Sequence, residues 1–108
     1  MGRMQEALEA IASPRRRQIL RLVWNRELAA GEIAATFEVT WAAVSQNLRL
    51  LKEAGLVRER RDGNRRLYRA DRAALRPLER VLRQMWTDDL DRLRVLAEAE
   101  HRAGRKRR

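Results

Sequence analysis

The chain has 108 residues, of which 44% are hydrophobic and 37% charged, with a formal net charge of +10 and no cysteine. The length suits one domain with a modest core, and the lack of cysteine excludes disulfides, thiolate metal sites and a cysteine nucleophile. The positive charge lies mainly in residues 14–69 and 104–108, which favours an anionic partner, with nucleic acid first and a membrane surface second.

The N-terminal segment predicts two short helices. Met4, Leu8 and Ile11 recur at helical spacing, and the Ser-Pro pair at 13–14 has the pattern of an N-cap before a second helix, which ends near residue 24. The first segment is too acidic for a signal peptide, and no apolar run approaches the roughly 20 residues that span a bilayer. A cytoplasmic protein is therefore expected.

The next segment predicts a helix–turn–helix. A short helix over about residues 30–36 leads into a tight turn at 38–39, and a longer recognition helix then runs over about residues 40–54. Thr40 is placed to cap this second helix, and Gly55 stands where a left-handed residue ends one. In this motif the N-terminal part of the second helix enters the DNA major groove.

The outward face of the recognition helix is mostly small, polar or basic, because its buried face is supplied by Val44, Leu48 and Leu51. Gln46 can make a bidentate contact with adenine, and Arg49 can reach guanine or phosphate. The candidate DNA contacts of this helix are Thr40, Trp41, Ala42, Ser45, Gln46 and Arg49.

Trp41 is a large aromatic residue at an exposed helix start. It lies about 60° from the centre of the buried face, so its ring can pack against the preceding helix or contact DNA, and the two roles are compatible. The sequence leaves this choice open.

Two arginine-rich segments flank Asp62-Gly63-Asn64, which predicts a β-hairpin, here called the wing, over about residues 56–70. A basic ribbon beside a groove-reading helix is the arrangement of a winged helix. Its candidate contacts with phosphates or the minor groove are Arg60, Arg61, Arg65 and Arg66. The alternative is a solvated basic face. Arg15–Arg17, at the start of the second helix, are weaker candidates, because arginines there often pair internally.

The last segment predicts a long helix over about residues 72–102, with Pro77 in the first turn of its main part. Its apolar residues fall three or four apart and form a broader stripe than one small domain needs, which indicates a partner helix. A ligand pocket at Trp86 is the alternative.

The single His101 is expected at the surface, and the basic tail at 104–108 is expected to be disordered.

These elements, in this order, resemble the arsenical-resistance-repressor (ArsR-type) family of small dimeric winged-helix repressors. The matching stretches are residues 11–23, 27–57 and 60–70, about half of the chain. The most specific part is "VSQNLRLLKEAGLV" followed by a glycine-containing hairpin and "LYR". The neutral C-terminal helix, with Trp86 and "LDRL", is similar to members that lack metal sites.

The resemblance implies a mainly α fold with a small β-hairpin, in a single domain over residues 1–103. It also implies a homodimer that represses transcription by binding an inverted-repeat operator and blocking polymerase. The family's dimer contacts, made by the first and last helices, are expected at Met4, Leu8, Ile11, Met85, Trp86, Leu90 and Leu93.

Family DNA contacts carried over by position fall on Trp41, Ala42, Ser45 and Gln46. Two departures leave the operator sequence open: Asn47 stands where histidine is frequent, and Trp41 stands where a small polar or basic residue is usual. Metal-sensing members use cysteines or histidine–carboxylate sets. With no cysteine and one histidine, neither a metal nor another cofactor is expected here.

The predicted partners are double-stranded DNA and a second copy of the chain, with no membrane and with any effector unknown. The alternative is a winged-helix module that binds protein or RNA without a specific DNA operator. An enzyme is not expected, because the chain has no Cys/His pair, phosphate-binding glycine loop or metal-ligand cluster. The aspartates at 88, 89 and 91 lie among arginines on a helix and are expected to be solvated.

Overall fold

The computed structural model describes residues 2–106, apart from the side chains of residues 2, 94 and 101–106. The side chain of His101 therefore lies outside the described residues. The chain divides into two compact units, Met1–Leu78 and Glu79–Arg108. The single domain over residues 1–103 stays a prediction.

The first unit contains the helix–turn–helix and the wing. Its elements are α1 (Gly2–Ile11), α2 (Pro14–Leu22), β1 (Leu28–Ala29), α3 (Ala30–Phe37), α4 (Trp41–Glu53), β2 (Val57–Asp62), β3 (Arg65–Ala70), α5 (Arg72–Leu75) and a 3-10 turn (Arg76–Leu78). The predicted mainly α fold with a winged helix–turn–helix is confirmed.

Local capping signals set the ends of the central helices. The Ser13 hydroxyl accepts a hydrogen bond from the Arg16 N–H at 3.3 Å, and the Thr40 hydroxyl accepts one from the Ala43 N–H at 3.1 Å. Gly55 follows α4 with a φ of 78°, a left-handed conformation that glycine adopts without strain. These three predicted boundaries are confirmed.

The wing belongs to a three-stranded antiparallel sheet with strand order β1-β3-β2. Leu28 pairs with Tyr68, and Ala29 pairs with Leu67. The expectation of a hairpin alone was therefore incomplete. A strand of two residues is too short to show an alternating pattern, so it gives no signal in the sequence.

The core of the first unit is built from the predicted inward faces of the helices. Its completely or almost completely buried apolar side chains are Ile11, Ile19, Leu20, Val23, Ile33, Val44, Leu48, Leu51, Leu56 and Leu75. Phe37, the last residue of α3, is only half-buried. The guanidinium of Arg15 lies 5.1 Å from the centre of its ring. This contact gives Phe37 a cation–π partner at the edge of the core.

Two arginines of α2 cap the C-terminal end of α1. Arg16 Nε donates to the Ala10 carbonyl at 2.7 Å, and Arg17 Nη1 donates to the Ile11 carbonyl at 2.8 Å and to the Ala12 carbonyl at 3.1 Å. The last carbonyls of a helix lack partners within the helix, so these bonds satisfy them. The predicted internal pairing of these arginines is confirmed.

Replacing Arg17 should therefore destabilise the fold. Arg17 is buried, and Arg17→Leu leaves the carbonyls that it serves without that donor, at an expected cost of about 1–3 kcal/mol in the free energy of unfolding. Urea unfolding followed by circular dichroism measures the loss. The matched control is Arg15→Leu, which removes only the ring contact and should cost less than about 1 kcal/mol. Equal small losses in the two variants would contradict the capping role.

Asp71 joins the end of the wing to the start of α5. Its carboxylate accepts a hydrogen bond from the Ala74 N–H at 3.1 Å and pairs with Arg58 Nε at 3.1 Å, while its own N–H donates to the Leu56 carbonyl at 2.8 Å. The Ala74 N–H and the Arg58 guanidinium lower the pKa of Asp71 below its ordinary value of 3.8, against the opposing effect of burial.

We expect Asp71→Ala to reduce the free energy of unfolding by about 1 kcal/mol at neutral pH, as for loss of a helix N-cap. Because the folded pKa is lowered, this contribution is complete above the ordinary value of 3.8 and is lost as the pH falls through the folded pKa. Unfolding midpoints of the two proteins across this range test the prediction. A difference that persists in strong acid would show that ionised Asp71 is not its source.

The second unit is a single long helix, α6 (Glu79–Lys106). It includes residues 104–106, while 107 and 108 lie outside the described residues, and the disordered tail over 104–108 stays a prediction. Pro77 lies in the 3-10 turn before α6, not in its first turn as expected. Leu82 and Trp86 are buried, whereas Leu90 and Leu93 are exposed. Among the described residues, no helix is both long and apolar enough to cross a membrane.

Candidate nucleic-acid interface

The outward face of α4 presents every contact residue predicted on that helix. Val44, Leu48 and Leu51 point inward and are buried, whereas the residues on the opposite side and the flank of the helix face solvent. The exposed residues on this face are Trp41, Ala42, Ser45, Gln46 and Arg49. Thr40 is also exposed, but its hydroxyl is occupied by the helix cap. The face therefore combines an apolar N-terminal end with polar groups one turn later.

Two polar side chains on this face are available to a ligand. Gln46 makes no side-chain hydrogen bond to any other residue that the structure describes, so its amide donors and acceptor are free. Arg49 Nε lies 3.9 Å from the Glu53 carboxylate, and both side chains are about two thirds exposed. Such a surface pair contributes about 0–1 kcal/mol, so Arg49 can exchange its partner for phosphate or a base.

Asn47 has a different role from its neighbour Gln46. Its amide nitrogen donates to the Ala43 carbonyl at 3.1 Å, and its amide oxygen accepts from Arg16 Nη1 at 3.4 Å. The side chain is half-buried. Asn47 thus links the recognition helix to the Arg16 side chain that caps α1, instead of facing the groove.

Trp41 is 66% exposed, whereas Trp24 is 6% and Trp86 8% exposed. Packing at the edge of the core therefore covers only about a third of its side chain. The ring lines a cleft of about 600 Å³ between α4, the start of α3 and the wing. Ser45 lies on the same side of this cleft, and Arg65, Arg66 and Tyr68 belong to the wing side.

Arg60 is held by an acidic partner far away in the sequence. Its Nε and Nη2 atoms both donate to the Glu27 carboxylate, at 2.9 Å each, which ties β2 to the segment before β1. The hydrogen bond from Arg60 is the main cause that lowers the pKa of Glu27. A two-point contact of this kind fixes the orientation of both groups, so Arg60 holds β2 of the wing next to the segment before β1.

The other three predicted wing contacts differ in their freedom. Arg65 pairs with Glu32 of α3, and Arg66 lies 3.7 Å from Glu59. Arg61 is exposed and has no ion pair with any residue in the described part of the chain. The wing's positive charge is therefore partly neutralised by carboxylates, and Arg61 is the most available of the four predicted wing contacts.

A small cluster connects the wing to the C-terminal end of α4. Lys52 Nζ lies 3.0 Å from the Glu59 carboxylate, and this hydrogen bond is the main cause that lowers the pKa of Glu59. Tyr68 pairs with Glu59 across the strands, and burial, more than the nearby carboxylate, raises the pKa of its phenol. The cluster links the wing to the recognition helix, so the two parts of the interface have a fixed relation.

The family of the chain follows from two comparisons with known proteins. Residues 13–59 match the model of the bacterial regulatory proteins of the arsR family. The chain is also 38% identical over 94 residues to the HTH-type transcriptional regulator Rv2034 of Mycobacterium tuberculosis, covering 87% of this chain and 88% of that protein. The chain belongs to the ArsR family.

Solved structures of similar proteins have the same fold as this ArsR-family chain. One is a crystal structure described as a possible transcriptional regulator for arsenical resistance, with 42% identity, a TM-score of 0.65, and coverage of 82% of this chain and 92% of that one. Another is the homodimeric winged helix-turn-helix DNA-binding domain of Mb0332 from Mycobacterium bovis. It has 32% identity, a TM-score of 0.67, and coverage of 82% and 79% respectively.

The acidic side chains in the described part of this ArsR-family chain are mostly paired with basic groups or spread apart. No group of three or more histidine, cysteine, aspartate or glutamate side chains there is arranged to hold a metal ion. The carboxylates near the interface, Glu27, Glu32 and Glu59, are instead engaged by arginine or lysine.

Proposed function

We propose that this ArsR-family protein is a sequence-specific regulator of transcription that binds double-stranded DNA in the cytoplasm as a homodimeric repressor. The observation that carries the proposal is the exposed outer face of α4, where Gln46 has unused hydrogen-bonding capacity beside small residues. Placed in the major groove, Gln46 reads adenine through its amide, and Arg49 reaches guanine or a phosphate.

The wing contacts the DNA phosphates beside the major groove through arginines that differ in how firmly carboxylates of the chain engage them. Arg61 contacts phosphate directly, because no carboxylate competes for it among the described residues. Arg65 and Arg66 are more than half exposed, so their carboxylate partners can be exchanged for phosphate at little cost. Arg60 keeps the wing in position through Glu27 and contributes less to the DNA contact.

A second copy of the chain covers the exposed apolar side chains of α1 and α6. Met4 and Leu8 are 47% and 45% exposed on α1, and Leu90 and Leu93 are 48% and 54% exposed on α6. The other predicted dimer contacts are less exposed: Met85 is half-buried, and Ile11 and Trp86 are buried.

Two-fold symmetry then sets the form of the operator. Each protomer places one α4 in a major groove, so the site is an inverted repeat whose half-site centres lie about one helical turn, or roughly 10–11 base pairs, apart. Bound across a promoter, such a dimer blocks polymerase. Transcription from a template whose promoter overlaps the site should fall as the protein is added, and a rise would identify an activator instead.

Fluorescence anisotropy with labelled duplex DNA and labelled single-stranded RNA tests the binding itself. The protein should bind duplex DNA at low salt, and the affinity should fall steeply as salt is added, because phosphate contacts release counterions. Failure to bind any duplex at low salt would instead support a winged-helix module that binds protein or RNA, and RNA binding in the same assay would identify which.

A further inference from the structure

Trp41 is an exposed apolar ring at the end of α4 that enters the groove. It is the first residue of α4 and is 66% exposed, and Ala42 and Ala43, which follow it, are exposed as well. Single exposed hydrophobic residues are common, but Trp41 and the two alanines together form a contiguous apolar patch, and such patches mark contact sites. The first three residues of the recognition helix therefore form an apolar tip, defined here as Trp41–Ala43.

The apolar tip has a specific match in the major groove. The four bases present hydrogen-bonding groups there, and thymine alone adds a methyl group. The N-terminal residues of a recognition helix are those that meet base edges. We propose that Trp41 reads the methyl group of a thymine and is the residue that selects this base in the operator; the inference rests on the proposed function of DNA binding.

The surroundings of Trp41 favour a base contact over a phosphate contact. The cations that suit phosphates lie on the wing side of the cleft, at Arg65 and Arg66, whereas Trp41 offers mainly an apolar ring with a single N–H donor. The ring lines the cleft without filling it, since two thirds of its surface stays free. Because the basic groups lie across the cleft, the Trp41 ring can contact a thymine methyl group while the wing arginines contact the DNA phosphates.

The position of the thymine follows from helix geometry. Trp41 and Gln46 are five residues apart, a rise of about 7.5 Å along α4, and their side chains point about 140° apart around the helix axis. Base pairs stack about 3.4 Å apart, so the two side chains reach different base pairs, and the thymine is expected a few base pairs from the adenine that Gln46 contacts.

Replacement of thymine by deoxyuridine isolates the methyl group. The duplex is one that the wild-type protein selects from a random library, and each thymine is replaced in turn, symmetrically in both half-sites. For the wild type, one replacement near the adenine that Gln46 contacts should weaken binding about fourfold per half-site. This is the loss expected when one methyl group is removed from an apolar contact. Trp41→Ala should bind more weakly and lose all response to that replacement.

Leu50→Ala is the matched control, because Leu50 is an exposed apolar residue of the same helix that lines a different cleft, with Glu6 and Ala10 of α1. This variant should keep the wild-type response to deoxyuridine. Circular dichroism checks that each variant folds.

Each other outcome overturns the proposal in a recognisable way. If no deoxyuridine weakens wild-type binding while Trp41→Ala lowers the affinity for every duplex, the ring contacts the sugar–phosphate backbone. If Trp41→Ala keeps the deoxyuridine response, a different side chain reads the methyl group. In both cases the proposed function stands. If the wild type selects no duplex, the proposed function and this inference fail together.

Discussion

Gln46→Ala should weaken binding to the operator by about 1–3 kcal/mol per half-site while leaving binding to unrelated duplexes nearly unchanged. The physical reason is that Gln46 is exposed, has no side-chain hydrogen bond to a described residue, and lies one turn into the helix that enters the groove. Removing its amide removes a contact with a base edge and no contact with phosphate. Titrations against the selected site and a scrambled duplex at one salt concentration measure both affinities.

Asn47→Ala is the informative control for this prediction. The Asn47 amide is engaged by the Ala43 carbonyl and by Arg16, so its loss should lower stability and leave base discrimination intact. If Gln46→Ala weakens binding to both duplexes equally, Gln46 contacts the backbone. If Asn47→Ala changes the preferred base, the division of roles along α4 is wrong.

The second large effect is expected in the salt dependence of binding. Arg61→Gln should weaken binding to all duplexes to a similar extent. It should also reduce the slope of log affinity against log salt by about 0.9 per protomer, or roughly 1.8 for a dimer, as for the loss of one phosphate contact on each side. Arg61 has this role because it alone among the four predicted wing arginines has no ion pair with a described residue.

Arg60→Gln is the matched variant, since Arg60 directly precedes Arg61 on β2. Its guanidinium is held by Glu27 at two points, so its loss should leave the salt slope almost unchanged and loosen the wing. Hydrogen exchange of the β2 and β3 amides should then quicken in Arg60→Gln and not in Arg61→Gln. An unchanged slope in Arg61→Gln together with a reduced slope in Arg60→Gln would reverse the two roles.

The helix–turn–helix could be predicted from the sequence because its signals are local. Serine and threonine caps, a glycine after the helix and a periodic buried face all lie within a few residues of the structure that they determine. The short strand β1 could not be predicted, because its two residues become a strand only by pairing with β3. The turn after α3 also departs from the usual preference, since Glu38 is left-handed with a φ of 53°.

The residues on the outward face of the candidate interface could be predicted from the sequence, but their ion-pair partners could not. The sequence identifies the arginines of the wing, yet the carboxylates that pair with Arg60 and Arg65 lie 33 residues earlier in the chain. Helical geometry places Trp41 at the edge of the buried face, where a small rotation decides between packing and exposure. The ion pairs of the wing and the exposure of Trp41 depend on how the elements pack in three dimensions, and the periodicity of the sequence does not determine this packing.

Selection of bound duplexes from a random library at near-physiological salt tests the central claim most directly. The account predicts one enriched inverted repeat with half-site centres roughly 10–11 base pairs apart, and a constant adenine with a thymine a few base pairs from it in each half. Enrichment of no sequence, or of a site without two-fold symmetry, would contradict the claim that this chain reads DNA as a dimer through α4.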